Sequence, residues 1–236
     1  MKRLLTLLAA LAGVSLLLAS SGCCTSCEKP AGCTACCGQS AACPMAGASD
    51  AGWVTLFDGK DLSKWRNGRA PRAENKWSIE DGAMTNVAHG NDIATAERYQ
   101  DFALSLEFKT VQGGNSGVYL RGRIELQVLD SFGKADVTKQ DNGAIYDQFP
   151  PKVNASKPAG EWNLLEATII GDEVTAKLNG KLIHDRQKIS EVTGGALPGK
   201  VGAPGPLLLQ GDHGKVWYRN IRIHPLAAPG ASCPSK

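Results

Sequence analysis

The carboxyl of Glu125 lies in a run, Asn115 to Asp130, whose residue types sort by parity. Closing that run as a hairpin through a three-residue loop at Arg121, Gly122 and Arg123 pairs Leu120 with Ile124, Tyr119 with Glu125, Val118 with Leu126 and Gly117 with Gln127. The register leaves Val118, Leu120, Ile124 and Leu126 on an apolar face and Tyr119, Glu125 and Gln127 on a polar one. A slip of one residue would mix the two sets. The polar face sets one ionisable group beside a phenol and an amide, and Gln127 cannot ionise but can hold a hydroxyl or a carbonyl. Such a face commonly meets only solvent. Here the crowding of three polar side chains, and the Gly-flanked Asn115-Ser116 entry where backbone can approach a ligand closely, favour a binding patch.

The eight cysteines offer a second chemistry. Seven fall between Cys23 and Cys43, and the eighth is Cys233. Cys24-Thr-Ser-Cys27 and Cys33-Thr-Ala-Cys36 could hold a tetrahedral zinc through four thiolates. Their spacer is far shorter than the ~15 to 20 residues of the usual four-Cys pattern, and no apolar residues nearby could support a knuckle. The competing reading is a Cys-, Ala- and Gly-rich tether carrying disulfides. No Cys occurs between Pro44 and Ser232, so the main domain must rest on buried apolar area. Gly-rich phosphate loops, HExxH and a nucleophile elbow are absent, which leaves nucleotide, metalloprotease and esterase chemistry without support.

The elements that would position these groups read as strands. From Trp53 onward, period-two patterns recur between turn signals, and no dozen-residue window carries a helical stripe. Phe102, Leu104, Leu106 and Phe108 alternate with Ala103, Ser105, Glu107 and Lys109. Val174, Ala176 and Leu178 run into the hairpin dipeptide Asn179-Gly180 before Leu182 and Ile183, and Asp81-Gly82 forms a similar turn between Ile79 and Met84. Leu165, Ala167 and Ile169 mark another strand, and Trp217, Arg219, Ile221 and Ile223 share a parity in the last. The prediction is an all-β fold, an antiparallel two-sheet jelly-roll sandwich over residues 51–226. Residues 131–161 carry no strand pattern; Gly143-Ala-Ile-Tyr146 and Phe149-Pro-Pro151 predict a packed loop that walls a cleft over the Glu125 face.

Length, 236 residues, suits one domain with a sizeable core. Met1-Lys-Arg3 followed by the apolar run Leu4 to Leu18 reads as a secretory leader over 1–22, too short to span a membrane. Ser20, Ser21, Gly22 and Cys23 end it in a string similar to a bacterial lipobox, with Ser20 where Leu is usual. Cys23 would be the lipid anchor; ordinary cleavage at the same small residues stays open. Both routes place the protein in the cell envelope, either as a lipoprotein, held on the outer or cytoplasmic membrane, or as a periplasmic or secreted protein. Residues 23–50 read as a flexible tether and 227–236 as a flexible tail. The formal charge of +3 includes Lys2 and Arg3, so the exported chain is near neutral and has no electrostatic reason to bind nucleic acid.

Eight strings in order point to a family. Trp53-Val-Thr-Leu-Phe-Asp-Gly-Lys60 with Leu62 and Trp65, NSGVYLR from Asn115, IELQVLD from Ile124, GAIY from Gly143, KPAGEWN from Lys157, LNG from Leu178, LLQGDHG from Leu208 and VWYRNIRI from Val216 resemble the 3-keto-disaccharide hydrolase family, also described as 3-keto-glucoside 1,2-lyase and 3-keto-2-hydroxy-glucal hydratase. The resemblance implies a concanavalin-A-like jelly roll with a concave sugar-binding sheet, and an oxidised (3-keto) sugar as substrate. In the related laminarinase-like glycosidases the catalytic strand carries Glu-x-Asp-x-x-Glu or a one-shorter form, where this chain has Glu125-x-Gln127-x-x-Asp130. Retaining glycoside hydrolysis wants two carboxyls about 5 to 5.5 Å apart, and Glu125 and Asp130 have opposite parity. An ordinary glycosidase is disfavoured.

A keto group at C3 changes the requirement. It acidifies the C2 proton, so a base can remove it while the glycosidic oxygen leaves C1, and water can then add to the enone. On this reading Glu125 and His213 are the titratable catalytic candidates, with His213 in the turn Gly211-Asp-His213-Gly equally readable as merely exposed. Arg121, Gln127, Gln210 and Tyr146 are candidate donors to the keto oxygen, and Asn115 and Tyr119 complete the substrate-binding set. His89, His184 and His224 have no comparable context. No cofactor is predicted; a divalent metal on Glu125, Asp130 or His213 stays open, because ligands from separate strands leave no spacing signature. Two competitors remain: a lectin-like carbohydrate-binding module without chemistry, and a hydrolase of unoxidised glucans.

Overall fold

Alternation of apolar and polar residues makes the strands, and two sheets bury their apolar faces against each other. The computed structural model describes residues 51–226, all within one compact unit, Gly47–Lys236. The expected leader, tether and tail, with the Cys cluster, the expected anchor Cys23 and Cys233, lie outside the described residues. The larger sheet has eight strands in the order β11 (Lys181–Lys188), β10 (Glu173–Leu178), β9 (Asn163–Ile170), β6 (Phe102–Thr110), β13 (Val216–Pro225), β4 (Ala83–Asn86), β3 (Trp77–Glu80), with β1 (Val54–Phe57) also paired to β13. The smaller sheet has five, in the order β2 (Trp65–Asn67), β5 (Ile93–Thr95), β12 (Leu208–Leu209), β7 (Asn115–Leu120), β8 (Ile124–Leu129). Every pairing is antiparallel. Among the described residues there is no helix. The fold is the all-β jelly-roll sandwich that the alternation predicts.

Phe102, Leu104, Leu106 and Phe108 of β6 meet Val118, Leu120, Ile124 and Leu126 of the β7–β8 hairpin in the core. Each such side chain contributes about 1.5–3 kcal/mol on burial, and the summed area stands in for the missing disulfides. The hairpin register is the predicted one, Leu120 with Ile124, Tyr119 with Glu125, Val118 with Leu126 and Gly117 with Gln127. Asn179 and Gly180 both lie at positive φ, 50° and 76°, as a two-residue hairpin turn requires.

The last strand departs from the expected parity. A bulge between Arg219 and Arg222, with Asn220 at φ 52°, inserts a residue into β13. Val216 and Tyr218 therefore face the core before it and Ile221 and Ile223 after it, whereas Trp217 and Arg219 point outward. Outside, Lys109 stands over the Trp162 and Trp217 rings at 5.0 and 4.8 Å, and the Arg219 guanidinium over Trp162 at 4.0 Å.

Residues 131–161 form no named strand, yet they are packed. Buried Asp141 accepts hydrogen bonds from the Ser131 hydroxyl, the Thr138 amide and hydroxyl, and Lys134, which together hold its carboxyl down at about 2 despite burial. Residues 143–146 run beside β8. Gly143 and Ala144 exchange backbone bonds with Gln127, and the Tyr146 amide donates to the Glu125 carbonyl at 3.1 Å. The loop thus extends the small sheet past its edge and brings Tyr146 beside Glu125.

Candidate active site

The outer face of the five-stranded sheet carries a polar row. Tyr119 pairs with Glu125 across β7 and β8, Gly117 with Gln127, and the Gln210 amide donates to the Gly117 carbonyl just beyond β12. Above this row opens a cavity of about 290 Å³. Its floor is Tyr119, Glu125, Gln127, Asn115 and Gln210; its walls are Arg69, Tyr146, Gly194, Gly195, Asp212 and His213. The side chains that line it are ionisable, phenolic or amide groups, a lining suited to a polyhydroxylated ligand rather than an apolar one.

Glu125 is 3% exposed. Its carboxyl lies over Gly117, where an added Cβ would overlap the carboxylate. The glycine therefore gives room to this side chain, not to the backbone approach of a ligand. Burial pushes the carboxyl up to about 7, with Asp92 and Asp212 adding to the shift and the Tyr119 hydroxyl and Arg69 opposing it. At neutral pH the group can both take and return a proton. Burial and the neighbouring Glu125 raise the Tyr119 phenol, which stays protonated and donates to the Gly194 carbonyl at 3.0 Å. The Gln127 amide donates to the Asn115 side-chain oxygen at 3.2 Å, which fixes both amides.

His213 is half exposed on the opposite wall, with Nδ1 2.6 Å from Asp212 Oδ1. A carboxylate only accepts, so Nδ1 carries the hydrogen of that bond and Nε2 is left for the cavity. The turn bearing both residues is pinned by buried Asn86, whose amide donates to the Gly211 and Gly214 carbonyls at 2.7 and 2.9 Å while its oxygen accepts from the Val216 amide at 3.0 Å. Arg69 donates from Nε to Asp92 at 2.6 Å and from Nη2 to the Gly195 carbonyl at 2.6 Å.

The structure brings together Asn115, Tyr119, Glu125, Gln127, Tyr146, Gln210 and His213. Arg121 is not among them. It leaves the strand at φ 54°, so the alternation that carries Tyr119 to the outer face ends before it. Its guanidinium is fully buried, donating to Asp101 at 2.7 Å, to the Gly171 carbonyl at 2.7 Å and to the Gln100 carbonyl, in a structural ion pair. Asp130 is also elsewhere, accepting from the Gly113 amide at 3.0 Å. Among the described residues no group of three or more His, Cys, Asp or Glu is placed to hold a metal ion. Buried His184 bonds the Gly143 carbonyl at 2.8 Å under the loop. The sequence reading missed Arg69, Asp212, Gly194 and Gly195. Asp212 sat beside a named residue and Gly194-Gly195 is a turn signal, but nothing in the spacing of Arg69 links it to a hairpin fifty residues on.

A family model described as the 3-keto-alpha-glucoside-1,2-lyase-like domain matches residues 52–224. A curated 3-keto-disaccharide hydrolase of Bacteroides thetaiotaomicron is 27% identical over 229 aligned positions, spanning 74% of this chain and 79% of its own. A crystal structure from Parabacteroides distasonis, described as a candidate glycosyl hydrolase, is 31% identical with a TM-score of 0.64, covering 75% of this chain and 84% of that one. Another from the same organism, described alike, is 28% identical with a TM-score of 0.59, covering 74% and 99%.

Proposed function

The chain belongs to the 3-keto-alpha-glucoside-1,2-lyase-like family, and from that premise we propose that its pocket cleaves 3-keto-glycosides, 3-keto-disaccharides among them, by elimination and hydration. The observation that carries this reading is Glu125, a buried carboxyl pushed up to about 7 on the floor of a polar cavity, facing a histidine. Glu125 takes the C2 proton, made acidic by the C3 ketone, and the electron pair moves into the enolate. Gln127, Gln210, Tyr146 and Arg69 are the donors within the cavity for the enolate oxygen. The C1–oxygen bond then breaks, and His213 gives the leaving oxygen its proton from Nε2. In the second half, water adds to C1 of the enone as His213 takes its proton, and Glu125, whose proton has exchanged with solvent, protonates C2. The sum is hydrolysis, with both groups restored.

On the strength of residues 1–23 the same reading places the enzyme in the cell envelope. The test is incubation of the purified protein with a 3-keto-disaccharide and with its unoxidised parent in D₂O, following products by mass spectrometry. Cleavage of the keto sugar alone, with deuterium entering C2, is the expected result. Release of reducing sugar from the unoxidised parent would replace the elimination route with ordinary hydrolysis. Saturable binding with both sugars recovered intact would make the protein a carbohydrate-binding module.

A further inference from the structure

Asp92 supports the pocket without lining it. Alternation into β5 sends Ile93 to the core and turns Asp92 and Ala94 to the outer face, where the covering segments leave Asp92 only 2% exposed. Both carboxyl oxygens are engaged: Oδ2 accepts Arg69 Nε at 2.6 Å, and Oδ1 accepts the Gly211 amide at 3.0 Å. The two partners belong to opposite walls. Arg69 reaches on to the Gly195 carbonyl, and Gly211 opens the turn that carries Asp212 and His213.

We propose that Asp92 is the positioning residue of this pocket, aiming the Arg69 guanidinium and holding the His213 turn in one geometry for the reaction. The inference rests on the keto-glycoside reading only for the identity of that reaction. A single buried anion with a cation on one side and a backbone N–H on the other fixes two walls at once, and a misplacement of about 1 Å at such a site can cost on the order of 100-fold in rate. Asp92 also acts on the base through charge. The groups facing Glu125 are Tyr119 from β7, Tyr146 from the loop, Asp212 and His213 from the turn, and Asp92 with Arg69 from the segments flanking β5 and β2 in the same sheet, with Tyr218 beneath. Of these, Asp92 and Asp212 favour the protonated carboxyl, while Tyr119 and Arg69 favour the ionised one.

The test is a carbon-13 NMR titration of Glu carboxyls, with the Glu125 signal assigned by its loss in Glu125→Gln, in the wild type, Asp92→Asn, Arg69→Met and the double variant. Asp92→Asn keeps the shape and removes the charge, so the Glu125 midpoint falls; Arg69→Met removes the opposing cation, so it rises. Should Asp92→Asn alone fail to fold, the double variant leaves no unpaired buried charge, and its midpoint lies below that of Arg69→Met. Coinciding midpoints in either comparison overturn the proposal. On a 3-keto-disaccharide, Asp92→Asn is expected to lower kcat/KM by about tenfold to 100-fold and to move the acid limb of the pH profile to lower pH. An equal loss with the limb unmoved reduces Asp92 to a structural role. A wild type that cleaves no keto sugar overturns the reaction and leaves the NMR arms to decide whether Asp92 acts on Glu125.

Discussion

Glu125 carries its own pH signature. As a base it acts ionised, so kcat/KM rises with pH through about 7. The same shift has a stability cost whose sign follows from linkage. The folded carboxyl binds its proton more tightly than the unfolded one, so the native state loses stability as pH rises from the ordinary 4.5 to about 7, by about 3 kcal/mol in all. Glu125→Gln is therefore expected to unfold at a higher temperature than the wild type at pH 8 and at nearly the same temperature at pH 4, while losing roughly 10²–10⁴ in turnover. Calorimetry at the two pH values, beside a cleavage assay, checks both; a variant less stable than the wild type at pH 8 would remove the buried-charge account. Glu125, Tyr119 and Gln127 were legible in the sequence because three alternating positions of one hairpin cannot be moved apart without mixing polar and apolar faces. Arg69 and Asp92 were not, since contacts between segments far apart in the chain leave no period. Arg121 was misassigned because a left-handed loop residue is no longer bound by the parity of its strand.

At the scale of elements, the β7–β8 hairpin is a shelf whose height is set by a missing side chain. Gly117 lies across from Gln127, and no positive φ demands glycine there; the vacancy above it is filled by the Glu125 carboxyl. Gly117→Ala should fold, because a β-strand accepts alanine and the atom it meets is the end of a flexible side chain. The carboxyl must swing away, and kcat/KM for a 3-keto sugar is expected to fall by about 100-fold with the unfolding temperature little changed. Circular dichroism melts and initial rates on the same preparation separate the two effects; retained activity would mean that the carboxyl is not held where the glycine leaves room. The strands themselves were predictable where alternation and turn dipeptides agreed, as at Asn179-Gly180. The bulge at Asn220 was not, because an inserted residue changes parity midway while every local pattern remains strand-like. The 143–146 segment shows the reverse: it lacks alternation, yet it pairs with β8 through backbone groups that no side-chain pattern records.

For the molecule as a whole, the cysteines stand apart in the sequence from the sandwich. All eight thiols lie outside residues 45–232, and the two sheets close over a core that runs from Leu56 to Ile223. Cross-links confined to the N-terminal cluster would close loops only outside the sandwich and would leave its unfolded ensemble nearly as free as before. A bridge from that cluster to Cys233 would be different, because it would close a loop around the whole domain and restrict its denatured chain, a stabilisation of about 5 kcal/mol or slightly more at that length. The arrangement of the core argues for the first case, since burial alone supplies a complete two-layer interior. Thermal unfolding of the purified protein followed with and without dithiothreitol is therefore expected to give the same midpoint. A drop of several degrees on reduction would show that the domain is tied end to end, and would make the cysteines part of the fold.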